Sequence, residues 1–322
     1  MIDKQIADRI KELTGWPSVS RSRIITDTTD WMRVNRGDVF RLGGRDFVIK
    51  GNRYETRFGI AEQPKLWVFA AIDLETGQDK IIKTVFHEEF TVRIGVFKIR
   101  CYRSPEKEGR VLDLVLSDKR FMQGYTVEDD ASNKIRVIDY IKGPTIMEYI
   151  SEINKSHEQY FHEDLPGILR QLTASIQAIY LLHSNHVCHG DIRNDHIIVE
   201  SGTGQYRWID FDLNQHVSDF DIWSIGNIIN YAVAKGICSF SRIMKSNTIS
   251  EKVKQSLIGD DGGAFYEYRL MNLKKLYPYI PESLNEILLH FTIRPKVYYT
   301  SMTQLLKDYR VMLNADFPEE KK

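Results

Sequence analysis

The sequence predicts an α+β protein of two lobes, the first built mainly of antiparallel strands and the second mainly of helices. Strand-like runs separated by turn-forming residues fill the first third of the chain. Apolar residues recur at helical spacing from Leu165 onward. The change from one pattern to the other follows Tyr140. A β-rich part followed by a helical part favours two lobes over one alternating parallel sheet.

The composition narrows the classes of partner. The 322 residues are 42% hydrophobic, enough for one large or two modest cores. The 44 basic and 44 acidic side chains balance, so charge gives no reason to expect a nucleic acid or an anionic membrane as partner. No apolar run reaches membrane-spanning length, and the N-terminus does not resemble a signal peptide. The three cysteines are scattered and odd in number, which is typical of reduced thiols in the cytoplasm.

The first part of the chain contains helix, hairpin and strand signals in that order. Residues 2–14 carry apolar side chains along one helical face. One hairpin is predicted around Gly43-Gly44 and a second around residues 75–78, each between two apolar runs. A further strand-like run covers residues 90–101. Ser104-Pro105-Glu106 then has the residue types that begin a helix.

The second part is helical by the same reasoning. Helical spacing of apolar residues covers 165–182, and the apolar run 222–229 predicts a buried central helix. Two more helical patterns follow at 283–291 and 301–312. The charged end, residues 318–322, is expected to be a frayed tail.

One acid precedes a pair of short strand-like runs, and a second acid follows it. Residues 189–199 read His-Gly-Asp-Ile-Arg-Asn-Asp-His-Ile-Ile-Val, and residues 208–212 read Trp-Ile-Asp-Phe-Asp. Phosphoryl transfer needs one carboxylate to orient the attacking hydroxyl and another to hold the metal on the phosphates. Two short strands joined by a tight turn can hold Asp191 and Asp210 near one point. The pattern therefore predicts phosphoryl-transfer chemistry.

Taken in order, these and other motifs resemble the eukaryotic-type protein kinases over roughly residues 45–312. The resemblance implies a bilobal protein-kinase-like fold, with residues 1–44 as an N-terminal extension packing on the N-lobe. It implies an N-lobe over 45–138, a hinge over 139–143 and a C-lobe over 144–322. The motifs that carry it are Glu75-Thr76-Gly77 with Lys80-Ile81-Ile82-Lys83, Glu108 before Gly109, and residues 137–143, 181–191, 221–226, 280–284 and 299–306.

The resemblance also implies roles for individual residues. Lys83 would hold the α- and β-phosphates of ATP, and Glu108 would pair with Lys83. Asp191 would orient the acceptor hydroxyl and accept its proton, while Asp210 would bind Mg²⁺. Arg193 would stabilise the charge of the moving phosphoryl group. The alternative for Arg193 is a salt bridge to a neighbouring aspartate, Asp195 or Asp212.

The same resemblance implies a nucleotide site. The backbone of Asp139 and Ile141 would hydrogen-bond adenine, and Val68, Ile81 and Ile138 complete the predicted nucleotide-binding residues. Ile81 stands where related kinases usually have a small residue against adenine, so it would narrow the pocket.

The loop that covers the phosphates in related kinases lacks its glycines here. Counting back from Lys83 places its tip at residues 61–65. Glycines let backbone N–H groups approach phosphates closely, and Pro64 has no N–H at all. Lys65 either contributes a side-chain cation to the phosphates or is an ordinary solvated loop lysine.

Two further departures concern the metal and the acceptor. His196 occupies the position of the asparagine that binds the second metal. Mg²⁺ prefers oxygen and imidazole suits softer ions, which predicts either a single Mg²⁺ on Asp210 or a preference for Mn²⁺. The alternative is that His196 only hydrogen-bonds Asp210 or the catalytic loop. Gly190 replaces an arginine that reads activation-loop phosphate, and the short stretch from Asp210 to Asp221 resembles small-molecule kinases of the superfamily.

The sequence therefore favours an ATP-dependent phosphotransferase acting on a hydroxyl, either a protein Ser/Thr or a small-molecule alcohol. The alternative is a pseudokinase, a nucleotide- or partner-binding module that kept the fold without the chemistry. A zinc hydrolase is disfavoured because no histidine or cysteine pair has the spacing of a helical zinc site.

Overall fold

The computed structural model describes residues 2–16, 22–57, 60–94, 97–215, 217 and 219–318. The chain divides into two compact units. One comprises Met1–Glu89 and Tyr102–Ile141, and the other comprises Phe90–Cys101 and Lys142–Lys322. The tail predicted at 318–322 lies outside the described residues from 319 onward.

The described strands and helices have the following bounds. Strands lie at Ile24–Ile25 (β1), Val39–Leu42 (β2), Arg45–Arg57 (β3), Ile60–Asp73 (β4), Asp79–Lys83 (β5), Glu88–Ile94 (β6), Phe97–Arg103 (β7), Gly124–Glu128 (β8), Lys134–Asp139 (β9), Ile197–Val199 (β10), Tyr206–Trp208 (β11) and Leu213–Gln215 (β12). Helices lie at Lys4–Thr14 (α1), Pro105–Leu114 (α2), Ile146–Glu152 (α3), His157–Glu163 (α4), Leu165–Ser184 (α5), Phe220–Val233 (α6), Phe240–Lys245 (α7), Glu251–Ser256 (α8), Glu282–Leu289 (α9) and Met302–Asp316 (α10).

The first unit is built on a seven-stranded sheet with the order β1-β2-β3-β4-β5-β9-β8. Both predicted hairpins are confirmed, because β2 pairs antiparallel with β3 and β4 pairs antiparallel with β5. Gly43 and Gly44 form the first turn with φ of 57° and 78°, in the left-handed region that glycine adopts at little cost. The run at 90–101 differs from the prediction of one strand: β6 and β7 are neighbours in a separate sheet with β12.

The predicted position of the phosphate-covering loop is wrong. Residues 61–65 lie within β4 instead of at a loop tip, with Pro64 opposite Tyr54 and Lys65 opposite Arg53. The hairpin is longer than expected because β3 and β4 continue through register shifts to the pairing of Arg57 with Ile60. Residues 58 and 59, which connect the two strands, are outside the described residues.

Alternation along the strands places one core cluster of the first unit on a single face of its sheet. Phe69, Ile82 and Val137 belong to a fully buried cluster with the core residues of β2 and β3. Successive side chains of a strand point to opposite faces, so Ile81 and Lys83, which flank Ile82, lie on the other face. This alternation separates that cluster from the residues predicted to meet a nucleotide.

The first 44 residues belong to the same unit. They supply β1 and β2 to the sheet, and Ile10 of the amphipathic helix α1 is fully buried against Val39, Val48 and Ile72. Trp31 packs partly buried against the core cluster of the sheet.

The second unit is mainly helical and contains the short hairpin β10–β11. Helix α5 lies at its centre, with nine buried residues, and the indole N–H of Trp208 in β11 donates to its Ser175 carbonyl at 3.0 Å. The predicted helices at 165–182, 222–229, 283–291 and 301–312 correspond to α5, α6, α9 and α10 and are confirmed. The predicted α+β class, with a β-rich N-terminal part and a helical C-terminal part, is also confirmed. Over the ranges described, every helix is too short or too polar to cross a membrane.

Candidate active site

A buried ion cluster in the first unit contains the predicted Lys83–Glu108 pair. The Lys83 ammonium lies 2.6 Å from Oε1 of Glu108, and the Glu108 side chain is fully buried. Glu108 is in the first turn of α2, whose first residue is Pro105. Proline suits this position because its missing N–H has no acceptor within the helix. The structure therefore brings these two residues together, while their role in binding ATP stays a prediction.

The sequence reasoning missed a third member of this cluster, Arg136 of β9. Its Nε donates to Oε2 of Glu108 at 3.3 Å, and its side chain is only 2% exposed. Its two terminal nitrogens donate to the carbonyls of Thr84 at 3.1 Å and Lys134 at 2.9 Å. The sequence carries a signal for it, since an arginine interrupts the apolar run Ile135, Val137, Ile138. A charged residue in a buried strand requires partners of opposite charge or hydrogen-bond acceptors, so an arginine at this position predicts a buried ion pair.

Most of the predicted nucleotide-binding residues lie on one face of three neighbouring strands. Lys83 is directly opposite Val68 on β4, and Ile81 is directly opposite Ile138 on β9. Directly opposed residues share a face, as do residues two apart in one strand. Val68 and Ile138 are buried, and Ile81 is partly buried. The expected adenine-facing set is therefore contiguous with the Lys83–Glu108 pair.

The two predicted backbone contacts to adenine fall at the end of this unit. The Asp139 amide donates to the Gln123 carbonyl at 2.8 Å, and its carboxylate accepts from Lys80 at 2.6 Å. Any backbone contact of Asp139 to a nucleotide would thus use its carbonyl oxygen. Ile141 is buried, at 9% exposure. Lys65 lies in β4, outside the loop in which it was expected.

In the second unit, the hairpin β10–β11 determines where the second acid lies. Ile197 pairs with Trp208, and the Ile209 amide donates to the His196 carbonyl at 3.0 Å. This register places the residue after Ile209, Asp210, beside His196. Asp210 has φ of 69°, in the left-handed region that costs energy for a residue with a side chain. Such backbone strain is often found at functional sites.

His196 lies between the two acids predicted to be catalytic. Its Nδ1 is 2.7 Å from the Asp191 carbonyl and 3.9 Å from the Asp191 carboxylate. Its Nε2 is 3.5 Å from Oδ2 of Asp210. A carbonyl can only accept, so Nδ1 carries the proton and Nε2 faces Asp210. The structure thus places Asp191 and Asp210 on opposite sides of one imidazole ring.

The loop before Asp191 is held by a buried carboxylate that the sequence reasoning placed only in a helix motif. Asp221 of α6 is fully buried and accepts the amides of His189 at 2.7 Å and Gly190 at 2.8 Å. His183 Nε2 lies 2.9 Å from the same carboxylate. Burial opposes ionisation of Asp221, but His183, His189 and the Gly190 amide together outweigh it and hold the pKa of Asp221 below its usual value.

Gly190 has φ of 85°, which explains a glycine at this position by local backbone geometry. The neighbouring His189 also helps to hold the loop. Its ring packs against Phe211 with ring centres 4.5 Å apart. Its Nδ1 accepts a hydrogen bond from the Asp191 amide at 3.3 Å. The loop is therefore positioned from both sides of Asp191.

The ligand atoms of His183, Cys188 and Asp221 lie within 4.8 Å of one another, the kind of grouping that can hold a metal. Both Asp221 oxygens already accept backbone amides, however, so the group is accounted for by its structural contacts.

Arg193 forms the salt bridge that was the alternative to a catalytic role. Its Nε donates to Asp195 at 2.9 Å, and a terminal nitrogen also contacts the same carboxylate. Burial favours the neutral form of Asp195, yet His196 and Arg193 outweigh it and keep the pKa of Asp195 below its usual value. Asp212 is buried in the same region, at 5% exposure.

Comparison with known proteins adds a limited likeness to kinases. The chain is 25% identical over 108 residues, 33% of its length, to a putative ribosomal protein S6 kinase alpha-2 of Caenorhabditis elegans. It is 24% identical over 147 residues, 45% of its length, to the death-associated protein kinase dapk-1 of the same organism. These matches cover only 13% and 10% of those relatives. No family model matches the chain. The likeness supports a protein-kinase-like phosphotransferase in general terms.

Proposed function

We propose that the protein is an ATP-dependent phosphotransferase that transfers the γ-phosphoryl group to a hydroxyl. The observation that carries the proposal is the arrangement of Asp191 and Asp210 on either side of His196. Phosphoryl transfer depends mainly on positioning and charge, and two carboxylates fixed on either side of one imidazole ring meet both needs. The likeness to two protein kinases supports the same chemistry.

Each acid has a role that fits its surroundings. The Asp191 side chain is 15% exposed, so it can reach an acceptor hydroxyl, orient it and take its proton. Lys83, held by Glu108, supplies the cation for the α- and β-phosphates. Arg193 keeps a secondary role in neutralising charge, limited by its salt bridge to Asp195.

The residues around Asp210 fit a divalent metal ion. A carboxylate oxygen and an imidazole nitrogen face each other at 3.5 Å, and the opposite ring nitrogen is oriented by a backbone carbonyl. Histidine ligands are commonly oriented in this way. A mixed oxygen and nitrogen donor set favours Mn²⁺ over Mg²⁺. When bound, the ion would neutralise charge on the transferred phosphates.

The acceptor is proposed as a class only: a serine or threonine hydroxyl of a protein, or a small-molecule alcohol. The segment between Asp210 and the start of α6 at Phe220 is short, which supports a small acceptor. Incubation with γ-labelled ATP, followed by mass spectrometry for autophosphorylation and a screen of sugars, amino alcohols and proteins, identifies it.

The test of the chemistry is Asp191→Asn, which keeps the shape and removes the base. We expect kcat to fall by about 10²- to 10⁴-fold, the usual contribution of positioned acid–base catalysis. Asp260→Asn is the matched control, because Asp260 is 47% exposed and its nearest cation, on Arg294, is 3.6 Å away. Near-native turnover in Asp191→Asn with an equally active control would refute the role of Asp191.

The metal assignment has its own test in His196→Asn, assayed with Mg²⁺ and with Mn²⁺. If His196 contributes a ligand, the wild type should prefer Mn²⁺ and the variant should shift its preference toward Mg²⁺. Equal activation of the wild type by both ions, unchanged in the variant, would contradict the assignment.

A pseudokinase is the second candidate, favoured by one specific observation. His196 occupies the space between the two acids and is already bonded to the catalytic loop through the Asp191 carbonyl. A thermal-shift measurement with ATP and Mg²⁺ or Mn²⁺ separates the candidates at the first step. Stabilisation without turnover over the acceptor screen would favour the binding module, and absence of stabilisation by any nucleotide–metal pair would count against the phosphotransferase.

A further inference from the structure

Arg136 is a fully buried arginine, and two of its contacts are with Glu108, which pairs with Lys83, and with Thr84, which follows Lys83. Arginine always carries charge and has five N–H donors in a rigid plane, so burying it is costly unless those donors are used. Arg136 uses them on three acceptors from three segments: the Glu108 carboxylate in α2, the Thr84 carbonyl after β5, and the Lys134 carbonyl at the start of β9. Thr84 directly follows Lys83 in the chain.

The register of the sheet brings two positively charged side chains together around one carboxylate. Arg136 on β9 lies directly opposite Lys83 on β5. Directly opposed residues share a face, and like charges in that position repel. Glu108 lies between them, with Oε1 on Lys83 at 2.6 Å and Oε2 on Arg136 at 3.3 Å. One carboxylate therefore keeps two cations together.

The second cation matters when Lys83 binds a phosphate. A glutamate with lysine as its single partner would become a poorly compensated buried charge as the ammonium turned toward the nucleotide. Arg136 keeps Glu108 compensated, and its planar guanidinium holds both the carboxylate and the backbone beyond Lys83. It does this without being one of the residues proposed to contact ATP.

We infer that Arg136 is a positioning residue for Lys83, acting through Glu108 and Thr84. The inference rests on the proposed function, since it assumes that Lys83 binds the phosphates of ATP. It adds a determinant of nucleotide binding outside the kinase motifs found in the sequence.

The test uses Arg136→Met, which keeps the apolar stem, and Arg136→Lys, which keeps the charge but cannot reach all three acceptors. Arg120→Met is the matched control, because Arg120 is partly exposed and its side chain pairs with its neighbour Asp118. Two readouts are taken on the full chain below its melting temperature: kcat and KM for ATP, and hydrogen exchange of the amides in α2.

For Arg136→Met we expect kcat/KM for ATP to fall roughly 10- to 100-fold, with KM rising, because Lys83 is less well placed. Amides of α2 should exchange faster, since α2 loses a contact through Glu108. Arg136→Lys should recover part of both effects, and Arg120→Met should match the wild type. A purely structural role would lower the melting temperature and leave kcat and KM unchanged.

Unchanged kcat and KM for ATP in folded Arg136→Met overturn the inference, even where the amides of α2 exchange faster. If that variant does not fold, Arg136→Lys decides by the same two readouts, and wild-type behaviour of Arg136→Lys overturns it. Failure of the proposed function is distinguishable, because the wild type itself would then neither bind nor turn over ATP. In that case the exchange of α2 alone would still show whether Arg136 holds Glu108.

Discussion

Replacing Asp221 by asparagine should strongly destabilise the helical unit. The change keeps the size and shape of a fully buried side chain but removes its charge and one of its two acceptor oxygens. In the structure, Oδ2 of Asp221 accepts from His189 N and from His183 Nε2, and Oδ1 accepts from Gly190 N. An asparagine amide nitrogen in either place would face a backbone N–H.

The expected magnitude follows from these contacts. At least one buried backbone N–H, on His189 or Gly190, loses its acceptor, which costs about 1–3 kcal/mol. The remaining bonds lose the assistance of a charge, for about 1 kcal/mol more. We therefore expect the free energy of unfolding to fall by about 2–4 kcal/mol. The loop that carries Asp191 should also be less well positioned, lowering turnover.

The assay is urea unfolding followed by far-UV circular dichroism at pH 7, with Asp260→Asn as the control. The control removes an exposed carboxylate and should change the free energy of unfolding by less than about 0.5 kcal/mol. Because the pKa of Asp221 is held below its usual value, its stabilising contribution is complete above the pKa of an unfolded aspartate. The contribution is lost as pH falls through the lowered pKa, so the difference between wild type and variant should shrink in acid.

A loss of less than about 1 kcal/mol in Asp221→Asn would refute this reasoning, since it lies below the cost of even one orphaned buried N–H. Unfolding curves must be fitted by unit, because two compact units need not unfold in one step. If the free energy of unfolding of the variant changed with urea concentration at a different slope, the two units would no longer unfold in the same way as in the wild type.

Two further predictions concern stability of the second unit. Burial lowers the pKa of His157 from 6.5 to about 4, so the unfolded state binds more protons between these values and stability should fall as pH drops from 6.5 to 4. The loss should total about 2–3 kcal/mol, allowing for partial exposure; a pH series of urea melts measures it, and an equal slope in His157→Gln would contradict it. Gly226→Ala in α6 should cost about 2–3 kcal/mol, because the new Cβ would overlap the buried Phe291 ring. Its control, Gly167→Ala in α5, meets open space and should gain about 0.5–1 kcal/mol; equal melting temperatures for these two variants would refute the packing argument.

Local patterns account for what could be predicted of the site. Lys83 and Glu108 were identified from the resemblance of their motifs to those of protein kinases, and each motif consists of neighbouring residues. The structure brings these two side chains to 2.6 Å. The position of residues 61–65 was predicted incorrectly, because the register shifts of β3 and β4 depend on pairing between strands and leave no mark in a count from Lys83.

Arg136 and Asp221 show the limit of such reasoning. The partners of Arg136 include Glu108, 28 residues away, and those of Asp221 include His183, 38 residues away. Contacts at that separation depend on how sheets and helices pack. In a single sequence, the burial of a charged side chain is visible only indirectly, as a polar residue within an apolar run.

The order of residues was sufficient for the division into a β-rich and a helical part, for both hairpins and for the main helices, because hydrophobic period and turn chemistry act over a few residues. Three-dimensional packing alone decided that one carboxylate serves both Lys83 and Arg136, and that His196 separates Asp191 from Asp210. The physical reason is that hydrogen bonds and ion pairs depend on distance in space, which only the folded arrangement of the strands and loops fixes.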